Sequence, residues 1–144
     1  MSRPHTPLFL LTLALTSACN TGRELPRVIG PEGVDAEPVW STEELAKETA
    51  VRLARRSAEE SHHWLRTTVS EKPHTHDRSD LTSVVLGGNT RMHVGEQVYD
   101  LQVGDVVHVP RGVPHWLELV GSEPARAYVI FAPAFDPSDR RFIQ

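Results

Sequence analysis

The sequence contains few residues that could stabilise a fold by means other than a buried core. Only one of its 144 residues is cysteine, so no disulfide can form within the chain. Aromatic residues make up 6% of it, and no apolar run reaches the roughly 20 residues that a membrane-spanning helix needs. The formal net charge is −4 at pH 7, without the basic excess of a nucleic-acid-binding protein. We therefore expect one small domain that does not bind nucleic acid.

An apolar segment near the start of the sequence is typical of a secretion signal. Residues 8–18 (LFLLTLALTSA) follow Arg3 and His5, and only threonine and serine interrupt the apolar run. This length suits the hydrophobic part of a signal peptide, and the segment ends on small residues. The sequence therefore predicts that residues 1–18 are a signal peptide.

The single cysteine, Cys19, directly follows that segment. The stretch LTSAC resembles the lipobox of bacterial lipoproteins, in which signal peptidase II cleaves before a cysteine that carries a diacylglyceryl group. Thr16 stands where leucine is usual, and Leu15 lies one position earlier. The resemblance implies lipidation of Cys19 and a cell-envelope location, anchored to the membrane and facing the periplasm or exterior. The alternative is an ordinary secretory cleavage after Ala18.

Two segments precede the region that is rich in strand-forming residues. Residues 19–39 contain three prolines and three glycines among scattered charges, which favours a flexible lipid-anchored tether. The alternative is an N-terminal arm, with Val28 and Ile29 packed on the domain.

Residues 40–61 are predicted to hold an N-terminal helix, over about 42–59. Ser41 and Glu44 form a capping-box pattern, and a narrow stripe of small and apolar residues follows at helical spacing. We expect this helix to pack on a sheet or on a partner subunit.

The remaining residues, 62–144, are predicted to form an all-β domain. Seven short runs that are rich in β-branched and aromatic residues are separated by glycine- and proline-containing turns. No helical pattern lies between them, so an antiparallel barrel or a double-sheet sandwich is predicted.

Two histidines in this region are one residue apart, in the stretch KPHTHDRSD. On a strand, His74 and His76 would project from the same face, which is unfavourable in a core unless something binds both rings. Asp80 follows His76 after three residues, and Gly87 follows Asp80. A second block, G-x5-P-x-G-x2-H, runs from Gly104 to His115.

These two blocks resemble the two motifs of the cupin superfamily. The resemblance implies a cupin-type double-stranded jelly-roll barrel and a divalent first-row metal ion (Mn, Fe, Ni or Zn). The metal ligands that it implies are His74, His76, Asp80 and His115. The sequence departs from the family twice: Asp80 replaces the usual glutamate, and Leu119 replaces the asparagine that closes the second block.

The pocket beside this metal site is predicted by strand alternation. Counting in steps of two from Asp80 puts Thr82 and Val84 on the metal-facing side of their strand. Leu117 shares the face of His115, and His108 lies at the pocket rim or in solvent.

The resemblance leaves the activity open. It implies a metal-binding cupin that acts on a small polar molecule by dioxygenase, isomerase or lyase chemistry, and it implies a homodimer. No dedicated acid or base stands out in the sequence, so a non-catalytic module that senses or holds a small ligand or metal is the alternative. A purely structural β domain is the third possibility.

Overall fold

The computed structural model describes residues 26–144, and most of them lie in β-strands. The predicted signal peptide and the predicted lipidation of Cys19 lie outside the described residues. Among residues 26–144, no helix has the length and apolar character needed to cross a membrane.

The described chain contains twelve strands, one short α-helix and one 3-10 helix. The first elements are β1 Arg27–Gly30, β2 Gly33–Ala36, α1 Thr42–Leu45, β3 Thr49–Arg56, β4 Ser61–Thr67 and β5 His74–His76. They are followed by β6 Asp80–Gly87, β7 Thr90–Val94, β8 Gln97–Leu101, β9 Val106–Val109, β10 His115–Leu119 and β11 Ala125–Ala132. The 3-10 helix Pro137–Asp139 and β12 Arg140–Phe142 complete the chain.

The strands form two five-stranded antiparallel sheets and one separate hairpin. One sheet has the order β12-β5-β10-β7-β8, the other has the order β3-β4-β11-β6-β9, and β1 pairs with β2. Successive strands often belong to different sheets, so the chain crosses between the two sheets repeatedly. This architecture is a double-stranded jelly-roll barrel, which confirms the predicted all-β fold class.

The barrel interior and the outer face of one sheet are both buried. Residues from both sheets form the inner core, and because side chains alternate along a strand, their neighbours in sequence face outward. A second cluster covers the outside of the sheet that contains β4, β11 and β6. The inner core consists of Leu81, Met92, Val109 and Val129, and the outer cluster of Trp64, Leu86 and Tyr128 packs against Val28 and Trp40.

The prediction of a helix over 42–59 is wrong beyond its first turn. The capping box of Ser41 and Glu44 forms as expected, but helix α1 ends at Leu45, and residues 49–56 form the edge strand β3. Strand β3 pairs with β4 along its length, and the Thr49 and Thr67 hydroxyls hydrogen-bond at 2.8 Å. Helix propensity is a weak preference, and backbone pairing with an existing strand overrides it here.

The described part of the predicted tether is not a flexible chain but is packed on the domain. Residues 27–36 form the β1–β2 hairpin, and Val28 packs against the outer cluster. Glu37 is buried, and its carboxylate accepts a hydrogen bond from Arg126 at 2.6 Å. These contacts match the alternative interpretation, an N-terminal arm that is packed on the domain, through Val28 but not through Ile29, which is exposed.

Candidate metal centre

Three histidines meet inside the barrel. His74 and His76 lie on β5, and His115 begins β10, where it is directly opposite His74 in the antiparallel pair. All three side chains are buried, and each offers a ring nitrogen within 4.8 Å of the other two. The ring centroids of His74 and His115 are 4.4 Å apart, and that of His76 lies 5.1 Å and 5.4 Å from them.

The turn that carries His115 is attached to the strand that carries the other two histidines. Gly112 has a φ of +79°, a conformation that glycine adopts without strain. Its N–H donates to the carbonyl of His76 at 2.7 Å, and Val113 N–H donates to the Pro110 carbonyl at 3.2 Å. The proline and glycine of the second block therefore fix where β10 begins relative to β5.

Backbone carbonyls fix the protonation of two of the rings. The Nδ1 atom of His74 lies 2.8 Å from the Lys72 carbonyl, and that of His115 lies 2.9 Å from the Val113 carbonyl. A carbonyl can only accept, so these contacts place the proton of each ring on Nδ1 and leave the lone pair on Nε2. Arg140 Nη2 also lies 3.3 Å from His74 Nδ1, but the carbonyl contact is the shorter of the two. His115 Nε2 is buried without a hydrogen-bond partner. An unpartnered buried lone pair is costly, and a bound cation would satisfy it.

The environment keeps these histidines neutral. Burial lowers the pKa of His74 to about 4, and burial together with the neighbouring His74 and His115 lowers the pKa of His76 to about 4. Burial also lowers the pKa of His115. Neutral imidazole is the form that binds metal, so the three rings fit a divalent first-row ion at neutral pH.

The structure does not bring Asp80, the fourth predicted ligand, into this cluster. Its carboxylate accepts three hydrogen bonds from Arg111: from the backbone N–H at 2.9 Å, from Nε at 3.0 Å and from Nη2 at 3.1 Å. These bonds, led by those from the Arg111 side chain, lower the pKa of Asp80 to about 2. Asp80 therefore joins the β5–β6 turn to the 110–113 turn and leaves a three-histidine site.

A cavity of about 150 Å³ adjoins the histidines, and its lining differs from the predicted pocket. Leu117 lines it, as the alternation along β10 suggests. From β6, however, Leu81, Ser83 and Val85 line it in place of the predicted Thr82 and Val84.

The predicted pocket residues Thr82, Val84 and His108 face the other side of their sheet. Val84 packs in the outer cluster, and the Thr82 hydroxyl hydrogen-bonds His108 Nδ1 at 3.2 Å. Val107, not His108, lines the cavity from β9. For Thr82 and Val84 the cause is the assumption that Asp80 faces the metal, because a shift of one residue exchanges the two faces of a strand. The exposed His108 matches the solvent alternative given for it.

Several polar residues of the cavity were not predicted from the sequence. His63 lines the cavity from β4, and its Nε2 lies 2.9 Å from the Ser61 hydroxyl. Its alternation with Leu65 was the available signal. Glu71 also lines the cavity, where it accepts hydrogen bonds from Arg140 at 3.2 Å and from the Leu117 N–H at 3.1 Å. The sequence gives no sign of the Glu71–Arg140 pairing, because the two residues are far apart along the chain.

Comparison with known proteins agrees with this fold. A family model described as "Cupin domain" matches residues 65–131. An acireductone dioxygenase of Gluconacetobacter diazotrophicus is 44% identical over 48 residues, which are 31% of this chain and 27% of the relative. An uncharacterized protein of Aquifex aeolicus is 34% identical over 70 residues, which are 49% of this chain and 57% of the relative. The chain thus spans less than two thirds of the length of these relatives.

Solved structures share the fold at low sequence identity. A variant of Streptomyces PAC13 with uridine has a TM-score of 0.59 and 16% identity, over 67% of this chain and 78% of the other. KdgF from Halomonas sp. has a TM-score of 0.58 and 16% identity, over 63% of this chain and 85% of the other. These structures support the fold, and the domain match over residues 65–131 is the finding that supports the cupin superfamily.

Proposed function

We propose that the chain is a metal-binding cupin that holds one divalent first-row ion on His74, His76 and His115 and binds a small molecule in the adjoining cavity. The observation that carries this proposal is the convergence of three buried, neutral imidazoles, with His115 Nε2 left without a partner. A structural β domain has no need for three such rings, because their polar atoms could be replaced by apolar packing at lower cost.

The centre leaves room for a ligand to coordinate. Three protein ligands are fewer than a six-coordinate ion accepts, so water or a ligand oxygen would complete the shell. A bound ion supplies Lewis-acid polarisation of a ligand oxygen, or a site for dioxygen. The chain's own residues exclude water with apolar walls, while Glu71, His63 and Arg140 offer polar contacts within the cavity.

Two functions remain for this site. The similarity to acireductone dioxygenases and the three-histidine centre favour an enzyme of dioxygenase, isomerase or lyase type. The second candidate is a non-catalytic module that holds a small ligand or metal. It is favoured by the Arg111 hydrogen bonds to Asp80, since they leave that carboxylate unavailable as a general acid or base at the site. Turnover of small carboxylates, enediols or phenols by the metal-loaded protein would separate the two.

The metal site predicts a defined stoichiometry. Purified protein is expected to contain about one first-row metal ion per chain, and a His76→Ala variant is expected to contain almost none, because two imidazoles hold such an ion far more weakly than three. Elemental analysis after gel filtration measures both.

The matched control for that experiment is His108→Ala. His108 lies on the outer face beside Thr82, so this variant should keep the metal. Wild-type protein that takes up no Mn, Fe, Ni or Zn, even when refolded with each ion, would contradict the proposed function.

We also propose that the protein is anchored in the cell envelope through lipid on Cys19. The support is the resemblance of LTSAC to a lipobox. A Cys19→Ser variant is expected to lose a metabolic lipid label and to move from the membrane to the soluble fraction, because no other thiol can accept the diacylglyceryl group. A variant that remains in washed membranes, as shown by immunoblotting, would contradict the anchor.

A further inference from the structure

We propose that Asp139 is a positioning residue that orients His76 for metal binding through the Nδ1 atom of that ring. Asp139 ends the 3-10 helix near the C-terminus, beyond the region 65–131 that matches the cupin family. This inference rests on the metal-binding function proposed above, and it adds a residue outside the histidine motifs to the same centre.

His76 differs from the other two histidines in what faces its Nδ1 atom. His74 and His115 donate from Nδ1 to backbone carbonyls, whereas His76 Nδ1 is buried and has no hydrogen-bond partner. A carboxylate oxygen of Asp139, Oδ2, lies 3.8 Å from it. That distance is about 0.6 Å longer than a hydrogen bond, so the His76 ring would have to move by about that much to close the contact.

Asp139 is held firmly in a position to accept that contact. Its side chain is 1% exposed. Oδ1 accepts the N–H of Arg78 at 2.7 Å, and Oδ2 accepts the N–H of Ser79 at 3.2 Å. Burial alone would raise the pKa of Asp139, but these hydrogen bonds and nearby His76 outweigh it, so the pKa lies below its ordinary value. The group is therefore a carboxylate at neutral pH, and Oδ2 can accept a second hydrogen bond.

The strand that follows Asp139 keeps it beside the metal-binding strand. In the β12–β5 pair, Arg140 is opposite His76 and Phe142 is opposite His74. The Phe142 ring lies 6.2 Å from the His74 ring. The C-terminal segment thus contacts both histidines of the first motif, and its backbone pairing fixes the place of Asp139.

The expected role follows from general metal-site chemistry. A carboxylate that accepts a hydrogen bond from the non-ligating nitrogen of a histidine fixes the orientation of the ring and raises its basicity. Losing such a partner typically weakens metal affinity by about 10- to 100-fold. For His76, this arrangement makes Nε2 the metal-binding atom.

The test compares Asp139→Asn with Asp136→Asn, using zinc as the probe. Asp136 is the N-cap of the same 3-10 helix and pairs with Arg78 at 3.3 Å, so its variant removes a carboxylate from the same segment without touching His76. Zinc affinity, measured by competition with a chromophoric chelator, should fall about 10- to 100-fold for Asp139→Asn and change less than about twofold for Asp136→Asn. Unchanged affinity in a folded Asp139→Asn variant would overturn the proposal.

A second measurement needs no variant, which matters because Asp139 also holds the turn at Arg78 and Ser79. In zinc-loaded wild-type protein, long-range ¹H–¹⁵N NMR correlations should show the proton of His76 on Nδ1. A proton on Nε2, with zinc on Nδ1, would overturn the proposal even if Asp139→Asn does not fold. If wild-type protein binds neither zinc nor another first-row ion, the proposed metal-binding function itself is overturned. If it binds zinc but the Asp139→Asn variant binds zinc equally well, only the proposed role of Asp139 is overturned.

Discussion

The metal-free protein is expected to lose several kcal/mol of stability as the pH falls from 6.5 to 4. His74 and His76 have an ordinary pKa of 6.5 and a pKa of about 4 in the folded protein, chiefly because they are buried. Between these two values the unfolded chain binds protons that the folded chain does not. Stability that depends on the neutral rings is therefore fully present above 6.5, and it declines as the pH falls towards 4.

The size of this effect is large for a small domain. Each pKa unit corresponds to about 1.4 kcal/mol, so each of the two histidines contributes about 3 kcal/mol over this range. The total stability of a typical domain is about 5–15 kcal/mol. His63 and His115 act in the same direction, since burial lowers the pKa of each. Carboxylates such as Asp80, whose pKa is about 2, lose most of their contribution below about pH 4, so the histidines account for most of the decline between pH 6.5 and 4.

Urea unfolding in the presence of a chelator, at half-unit steps from pH 7.5 to 4, measures this dependence. The matched comparison is a His74→Leu/His76→Leu double variant, in which most of the slope between 6.5 and 4 should vanish. A flat profile for the wild-type protein over that range would show that the histidines are more accessible to water than this structure allows.

Gly88→Ala is expected to destabilise the protein by about 2–5 kcal/mol. Gly88 has a φ of +90° in the turn between β6 and β7, and a side chain there costs about 1–2 kcal/mol in backbone strain. A Cβ atom would also lie 2.7 Å from Ala125 Cα and 2.8 Å from the Pro124 carbonyl oxygen. Both contacts are with backbone at the start of β11, which cannot rotate away, and overpacking of this kind costs about 1–3 kcal/mol.

Gly104→Ala is the matched control. Gly104 has a similar φ, +99°, but an added Cβ would meet no atom within 4 Å. Its cost should be limited to the backbone strain of about 1–2 kcal/mol. Urea midpoints for the two variants at pH 7.5 give the comparison. If Gly88→Ala costs no more than Gly104→Ala, the close approach of the β6–β7 turn to β11 is not rigid.

The all-β class and the shared face of His74 and His76 could be predicted from the residues because their signals are local, whereas the convergence of His115 with them was implied by the resemblance to the cupin motifs. Alternation on β5 puts His74 and His76 on one face, and Pro110 and Gly112 specify the turn before His115. Such patterns act over a few residues, so composition and spacing are sufficient to read them.

The errors concern features that depend on distant pairing. Residues 49–56 have the composition of a weak helix, and only the presence of β4 as a hydrogen-bonding partner makes them a strand. Similarly, Arg111 lies 31 residues after Asp80, and the hydrogen bonds between them direct that carboxylate away from the histidines. The sequence of residues 49–56 does not reveal its pairing with β4, and the sequence around Asp80 does not reveal its pairing with Arg111.

Glu71 and Arg140 of the cavity, and Asp139 outside its lining, were missed for a related reason. Arg140 meets Glu71 across 69 positions of sequence, and Asp139 meets the Arg78–Ser79 turn across about 60. Both contacts depend on the pairing of β12 with β5, which no sequence motif predicts. The sequence also did not show which side chains of β6 face the cavity, since that depends on how residues 77–79 turn the chain.

That short turn has a consequence for how the sequence can change over evolutionary time. Residues 77–79 join the histidine strand to β6, whose odd-numbered side chains line the cavity and whose even-numbered ones meet the outer cluster or solvent. Inserting or deleting one residue here would rotate every later side chain of β6 by half a turn, so that Thr82 and Val84 would point inward. We therefore expect homologues to tolerate substitutions in this turn far more readily than changes in its length.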